Sequence, residues 1–302
     1  MLDLHMHSMH SEDGELAPGE LVRRCVEAGV DFMSVTDHNS MHGVEAAAAA
    51  AKTAGLAFLN GVELDCVYRG LNFHVLGYGV SNAGGDFTQV DADMDRKYLE
   101  TGMESLRKTC EMGFEVTPEE MRAYYKNAGF PNRWTGERFA ELIFAKPEYA
   151  DDPRLAAYRP GGARSDNPCI NFYWDFYSQG KPCYVEMEFM PMARALELIY
   201  DNGGVAVLAH PGNNLKGHEE LYDEIMALGI GGVEAFSSYH TIEQTEYYYR
   251  LARKSGKFVT IGSDYHGRLK PAISLGKVAF PEGIDRIELE AEVRKKLGKY
   301  LR

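Results

Sequence analysis

Short apolar runs alternate with amphipathic segments along the first 80 residues, and again from residue 192 onward. Apolar runs of a few residues bounded by turn residues indicate strands, and apolar positions repeating every three to four residues indicate helices. In the first region the pattern predicts strands at 2–6, 32–36, 57–62 and 73–78, and helices at 20–28 and 44–54. In the second it predicts helices at 192–202 and 243–254, and strands at 205–209, 232–236 and 258–262. This alternation is typical of βαβ units with parallel strands.

Residues 81–180 follow a different pattern. They contain longer amphipathic stretches, such as residues 98–112, and a segment rich in Pro, Asp and Gly at 146–168. We therefore expect residues 1–80 and 181–302 to form one α/β domain, and residues 81–180 to form a helical insertion within it.

Composition and charge narrow the class of protein. The 302 residues carry a formal net charge of −13, which disfavours a stable complex with a long nucleic acid because such binding neutralises many phosphates with Lys and Arg. A small phosphorylated metabolite remains compatible, since bound cations reverse the field locally. The sequence lacks both a secretory leader pattern and a long apolar stretch, so we expect a cytoplasmic protein with no membrane partner.

Histidines gather at the ends of the predicted strands. Six of the ten lie at or just after an apolar run: His5, His7, His38, His74, His210 and His266. His5 and His7 are two residues apart, so on an extended strand both rings point to the same side. Asp264 and His266 repeat that spacing after the last predicted strand. One such pair is weak evidence, whereas two pairs at strand ends indicate a metal site.

Glu63 follows a predicted strand at a position where a carboxylate can bridge two cations. Taken singly, His38 or His210 is more often a hydrogen-bonded core histidine than a ligand. Together these residues provide nitrogen and oxygen ligands that suit Zn, Mn or Fe, and no thiolate narrows the choice.

Several ordered motifs give the sequence a specific resemblance. The motifs are Asp-Leu-His-Met-His-Ser at 3–8, Thr-Asp-His at 36–38, Gly-Val-Glu at 61–63, His74, Ala-His-Pro at 209–211 and Asp-Tyr-His at 264–266. In these motifs the chain resembles the PHP (polymerase and histidinol phosphatase) superfamily of metal-dependent phosphoesterases, over roughly residues 1–80 and 180–280.

The resemblance implies a distorted (β/α)7 barrel holding two or three divalent metal ions at the C-terminal ends of its strands, with the helical insertion covering the site. It implies three ligand sets: His5, His7, Glu63 and Asp264; Glu63, His74 and His210; and Asp13, His38 and His266. The first loop is one residue longer than the common family form, so Glu12 or His10 is an alternative to Asp13.

The resemblance also implies roles beyond the metals. Arg133 is the candidate phosphate clamp, although the histidine that many relatives carry two residues later is absent here. Lys181 is a second candidate contact to the phosphate. His240 is expected to bind the phosphate or protonate the leaving group. Apart from the resemblance, Asp37 is expected to orient His38 because it lies beside it in the sequence. Trp134 and the tyrosines of the insertion, including Tyr124, Tyr125 and Tyr173, offer aromatic faces for a base or sugar, or belong to the core.

The expected function is hydrolysis of a small nucleotide or sugar phosphate, either a phosphomonoester or a cyclic phosphodiester, by a metal-bound hydroxide. Alternatives are a histidinol-phosphate phosphatase, a non-catalytic metal-binding module, and an amidohydrolase-like barrel that attacks a carbon centre.

Overall fold

A computed structural model describes residues 1–126, 130 and 132–301. It is an α/β fold with two sheets. The strands are β1 (Leu2–Asp3), β2 (Phe32–Met33), β3 (Ala57–Phe58), β4 (Gly61–Tyr68), β5 (Leu71–Tyr78), β6 (Met190–Pro191), β7 (Val205–Leu208), β8 (Gly232–Ser237) and β9 (Phe258–Gly262).

Helices connect most of these strands, and among the described residues none of them is long and apolar enough to cross a bilayer. They are α1 (Pro18–Ala28), α2 (Val44–Ala54), α3 (Asp86–Glu111), α4 (Pro118–Tyr124), α5 (Gly136–Ala145), α6 (Pro168–Phe176), α7 (Met192–Asp201), α8 (Pro211–Asn214), α9 (Tyr222–Ala227), α10 (Ile242–Lys254) and α11 (Arg286–Leu297).

The chain divides into two compact units, and the first holds both sheets. It comprises Met1–Val90, Phe189–Gly267 and Ala272–Arg302. One sheet is parallel, in the order β1-β2-β3, and the other has the order β6-β4-β5-β7-β8-β9.

The larger sheet is mixed, which corrects the expectation of parallel strands throughout. Strand β5 runs antiparallel to both β4 and β7. The β4–β5 connection is only Arg69 and Gly70, both with positive φ (51° and 77°). A two-residue turn of this kind joins antiparallel strands, whereas a parallel pair needs a crossover of a dozen or more residues.

Backbone hydrogen bonds join the two sheets at two places. Leu4 N donates to Ile261 O (3.0 Å) and Asp264 N to His5 O (2.8 Å), which links the chain after β1 to β9 and its extension. Asn39 N donates to Glu63 O (2.7 Å), which links the chain after β2 to β4. Segments that carry candidate ligands therefore run beside one another.

The strands of the first unit are strongly buried where the sequence is most apolar. All residues of β7 and β9 are buried, in agreement with the uninterrupted apolar run at 205–209 and the largely apolar run at 258–262. Helix α1 buries Leu21, Val22 and Cys25 along one face and ends at Gly29, whose φ of 78° is a left-handed cap.

The second unit comprises Asp91–Glu188 and Arg268–Pro271, and is largely helical among its described residues. Its core is rich in aromatic side chains, including Phe114, Phe139 and Phe172. Trp134 and Tyr125 belong to this buried cluster, whereas Tyr124 is about half exposed (48%). Trp134 and Tyr125, which the sequence analysis offered either as stacking faces or as core, are therefore core residues.

Gly262, at the end of β9, lies in a tightly packed part of the fold, and a substitution there tests this packing. A Cβ there would lie 2.3 Å from Glu234 Oε1 and 2.3 Å from His5 Cβ. We expect Gly262→Ala to lower the free energy of unfolding by ~1–3 kcal/mol, the usual cost of overpacking, in chemical denaturation. Gly19→Ala is the control, because a Cβ at Gly19 meets nothing within 4 Å. Equal stability of the two variants would contradict the packing argument.

Candidate functional site

The candidate ligands of the first unit lie in or directly after strands. His5 and His7 follow β1, His38 follows β2, and His210 follows β7. Asp264 and His266 follow β9, while Glu63 and His74 lie within the β4–β5 hairpin. The described residues contain four groups of His, Asp and Glu whose ligand atoms lie within 4.8 Å of one another, and three of them contain the sets that the sequence predicts.

The first group is His5, His7, Glu63 and Asp264, all fully or almost fully buried. Nε2 of His5 lies 3.0 Å from Glu63 Oε2 and 3.0 Å from Asp264 Oδ1. Nε2 of His7 lies 3.2 Å and 2.8 Å from the same two oxygens. Four potential ligand atoms thus meet around one small space.

Glu63 also belongs to the second group, through its other oxygen. Oε1 lies 2.9 Å from His74 Nδ1 and 3.3 Å from His210 Nε2. The two carboxylate oxygens of Glu63 therefore face two different groups, which is the arrangement of a carboxylate that bridges two cations.

The third group is His7, Asp13, His38 and His266. Asp13 Oδ2 lies 2.8 Å from His266 Nε2 and 3.9 Å from His38 Nε2. Neither Glu12 nor His10 belongs to any of the four groups found in the described part of the chain. The structure thus brings the preferred residue of the long first loop, Asp13, to the other ligands.

The fourth group, His38, Asp65 and His74, contains a residue that the sequence analysis missed. Asp65 lies two residues after Glu63 in β4, so both carboxylates lie on the same face of the strand. This is the spacing of His5 with His7 and of Asp264 with His266, and that signal would have identified Asp65.

Glu234 in β8 is a second missed residue. Its side chain is fully buried, with Oε1 2.9 Å from His5 Nδ1 and Oε2 accepting from His210 N (2.8 Å). It therefore holds a ligand of the first group and the backbone of a ligand of the second. A lone glutamate inside an apolar strand gives no sequence signal for this role.

Comparisons with known proteins agree with the motifs. The sequence model of the PHP domain matches residues 3–152. The chain belongs to the PHP family.

Individual PHP relatives cover nearly the whole chain. The chain is 29% identical over 269 residues to a 3',5'-nucleoside bisphosphate phosphatase of Chromobacterium violaceum, covering 88% of this chain and 87% of that protein. It is 27% identical over 269 residues to a phosphoribosyl 1,2-cyclic phosphate 1,2-diphosphodiesterase of Eggerthella lenta, covering 88% and 94%. Both relatives are named as hydrolases of phosphoric esters.

A solved structure shares the fold. It is described as an amidohydrolase from Chromobacterium violaceum with bound sulfate and no metal. It matches this chain with a TM-score of 0.77 and 25% sequence identity, and the match covers 96% of each chain.

The backbone of Asp264 has a conformation that is uncommon for a residue other than glycine. Its φ is 56°, in the left-handed region that residues other than glycine adopt infrequently. Hydrogen bonds from Asp264 N to His5 O and from His7 N to Tyr265 O (2.9 Å) hold the turn in register with the first strand segment. The carboxylate is thereby directed towards His5 and His7.

The site of this PHP protein is strongly polarised by its own charges. Burial lowers the pKa of His5, but the carboxylates led by Asp264 outweigh it and hold this pKa well above the ordinary 6.5. Burial likewise lowers the pKa of His38, but the carboxylates led by Asp65 hold it well above 6.5. Burial raises the pKa of Glu63, but the surrounding histidines, led by His5, hold it well below 4.5.

The donor set fits divalent cations. His74 Nδ1 is a buried atom 2.9 Å from Glu63 Oε1, yet it forms no hydrogen bond with any described residue. The nitrogen is close to the carboxylate but is not aligned for a hydrogen bond with it. Two ligands that are directed at a common centre, rather than at each other, have this geometry. Nitrogen and oxygen donors without thiolate suit zinc, manganese or iron.

Both ring nitrogens of His240 contact the backbone. Its Nδ1 lies 2.8 Å from Ala235 O, and its Nε2 accepts from Gly212 N (2.9 Å). Burial lowers the pKa of His240 to about 4, so the ring is neutral near pH 7. His240 thus contacts the backbone of the turn after His210, and its expected role towards the phosphate or the leaving group stays a prediction.

Asp37 does not contact the ring of His38. Its carboxylate accepts from Ser8 N (2.6 Å) and Ser8 Oγ (2.7 Å). Neighbouring residues of an extended segment point to opposite sides, so Asp37 faces away from the ligand beside it. The expected contact to His38 is therefore wrong, and Asp37 ties down the loop after His7.

Arg133 and Lys181 lie in the second unit. The Arg133 side chain is buried, forms ion pairs with Asp91 and, at 2.7 Å, with Asp95, and packs 3.6 Å from the centre of the Phe130 ring. Lys181 is exposed in the turn after α6. Their phosphate-binding roles stay predictions.

The histidine pKa values predict that metal binding releases protons. With pKa values well above 6.5, His5 and His38 carry protons near pH 7 in the metal-free protein, and a metal requires neutral imidazole. We expect Zn²⁺ affinity to rise with pH, and the calorimetric binding enthalpy near pH 7 to change with the ionisation enthalpy of the buffer. Equal enthalpies in all buffers would contradict this.

Proposed function

We propose that the protein hydrolyses a small phosphate ester at a site that holds two or three divalent cations. The observation that carries the proposal is Glu63, whose Oε2 faces His5 and His7 while Oε1 faces His74 and His210. The residues proposed to hold the cations are His5, His7, Asp13, His38, Glu63, His74, His210, Asp264 and His266.

Divalent ions, when bound, would draw charge from phosphate oxygens and make water more acidic. The residues of the chain have their own tasks. Glu234 binds Nδ1 of His5 and so keeps Nε2 of His5 directed towards the first group. In the same way, the backbone oxygen of Asp264 lies 2.7 Å from Nδ1 of His266 and keeps Nε2 of His266 directed towards the third group. Burial excludes bulk water from the first group, which strengthens its electrostatic interactions.

We infer that the sheets of the first unit form the distorted seven-stranded barrel expected of the family. The support is the pair of backbone links between the sheets, one from the chain after β1 to β9 and the other from the chain after β2 to β4. With them, neighbours follow in the order β1, β2, β4, β5, β7, β8, β9 and back to β1.

The proposed substrate class is a nucleotide or a sugar phosphate, as a phosphomonoester or a cyclic phosphodiester. Support comes from the relatives, which are named as a phosphatase of nucleoside bisphosphates and a diesterase of a ribosyl cyclic phosphate. We propose that residues 81–180 contribute the contacts that distinguish base and sugar. The ion pairs of Arg133 with Asp91 and Asp95 favour a role in ordering this segment.

Hydrolysis at a carbon centre is the second candidate, favoured by the solved structure described as an amidohydrolase. Multinuclear sites of this composition activate water for either reaction, so the metal ligands do not separate the two. A panel containing nucleoside bisphosphates, a ribose cyclic phosphate, histidinol phosphate, and a carboxylic ester and amide separates them directly. The proposal expects turnover on a phosphate ester.

Variants test whether turnover depends on the proposed ligands. We expect His210→Ala and Asp264→Ala each to lower kcat/KM by more than about 100-fold, beyond the roughly 10- to 100-fold typical of residues that only support ligands. His218→Ala is the matched control, because His218 is about half exposed and belongs to none of the four groups. Full activity of a correctly folded His210→Ala protein would exclude the proposed site.

A further inference from the structure

Asp65 lies between two of the proposed ligand histidines. Residue 65 of β4 is directly opposite His74 of β5 in the antiparallel register, so the two side chains share one face of the hairpin. Asp65 Oδ1 is 3.2 Å from His74 Nε2 and also 3.2 Å from His38 Nδ1. The carboxylate is buried, with 5% of the residue exposed.

The other nitrogen of each ring faces a different ligand group. Nδ1 of His74 is 2.9 Å from Glu63 Oε1, in the second group. Nε2 of His38 is 3.9 Å from Asp13 Oδ2, in the third group. One carboxylate therefore contacts the outer nitrogens of two rings whose inner nitrogens belong to separate groups.

Asn39 fixes the orientation of this carboxylate. Its Nδ2 donates to Asp65 Oδ2 (2.6 Å), and Asp65 N donates back to Asn39 Oδ1 (3.0 Å). Asn39 is itself held in the left-handed region, with a φ of 52°. This reciprocal pair engages Oδ2 and leaves Oδ1 facing the two histidines.

A neutral imidazole carries its single proton on one nitrogen and offers a lone pair on the other. His38 Nδ1 is a buried atom with no aligned hydrogen bond to any described residue; Asp65 Oδ1, at 3.2 Å, is the nearer of the two carboxylate oxygens beside it, with Glu63 Oε2 at 3.5 Å, and its charge favours a proton on this nitrogen. We propose that Asp65 is a positioning residue that keeps the protons on Nδ1 of His38 and Nε2 of His74.

His38 then offers Nε2, and His74 offers Nδ1, to two different cations. A single carboxylate thus selects the tautomers of ligands in two groups and couples their binding. This inference rests on the proposed function, because it presupposes that the site holds cations.

The test is Zn²⁺ binding by the full chain carrying Asp65→Asn, which keeps the side-chain size but removes the charge. Metal content and affinity are measured by elemental analysis and competition titration. Nitrogen-15 spectra of labelled histidines in the Zn²⁺-loaded protein report which ring nitrogen is protonated, with signals assigned by single histidine replacements. The matched control is Asp223→Asn, an exposed carboxylate of the same unit.

We expect wild type and Asp223→Asn to show His38 protonated at Nδ1 and His74 at Nε2. Asp65→Asn should bind Zn²⁺ roughly 10- to 100-fold more weakly in two of its binding steps, and the signals of both rings should change. Asn39→Ala should show a smaller effect in the same direction, since it frees the carboxylate without removing it.

Three results would overturn the inference. Unchanged affinity and unchanged histidine signals in Asp65→Asn would remove Asp65 from the site while leaving the proposed function intact. Metal on the outer nitrogens of His38 and His74, with one whole ion lost in Asp65→Asn, would make Asp65 a ligand instead. Absence of Zn²⁺ binding by the wild type would contradict both the inference and the proposed function.

Discussion

The structure of the first unit depends on the burial of one carboxylate, Glu63. A buried carboxylate is costly unless charge or hydrogen bonds compensate it. Here the compensation comes from His5, His74 and His210, which belong to segments far apart in the sequence. The chain after β1, the hairpin and the chain after β7 must therefore meet at one point. Neither a shifted hairpin register nor a displaced first strand is compatible with that meeting.

Further buried acids hold the loops from which the ligands project. Asp3 accepts from Ser263 N (2.8 Å) and Gly276 N (2.7 Å), and Asp37 accepts from Ser8 N. Burial raises the pKa of both carboxyls, while the donated hydrogen bonds act in the opposite direction. The acidic interior thus has two parts: carboxylates that face the histidines, and carboxylates that bind backbone amides and keep the ligand segments in place.

Local patterns in the sequence were sufficient for elements whose structure is decided locally. The helix at 44–54 and the strand at 258–262 have the predicted limits, and the residues of both i, i+2 pairs belong to the groups of potential metal ligands. The direction of β5 was missed because Arg-Gly is a weaker turn signal than Asn-Gly. The backbone contacts of His240 were not predicted, because a histidine after a strand looks alike in sequence whether its nitrogens face a ligand or the backbone. Only tertiary contacts separate those cases.

The ligand groups alone do not account for selection among substrates. Cations held by imidazole and carboxylate recognise phosphate oxygens, and those oxygens are common to nucleoside bisphosphates and ribosyl cyclic phosphates. The ligand groups described here contain no element that reads a base or a sugar hydroxyl. Under the proposed function, discrimination among phosphate esters comes from residues outside these groups. No described residue between His74 and His210 belongs to them, and the proposed insertion at 81–180 lies within that stretch. The proposal therefore assigns the chemistry and its specificity to different parts of the chain, so that one can change without the other.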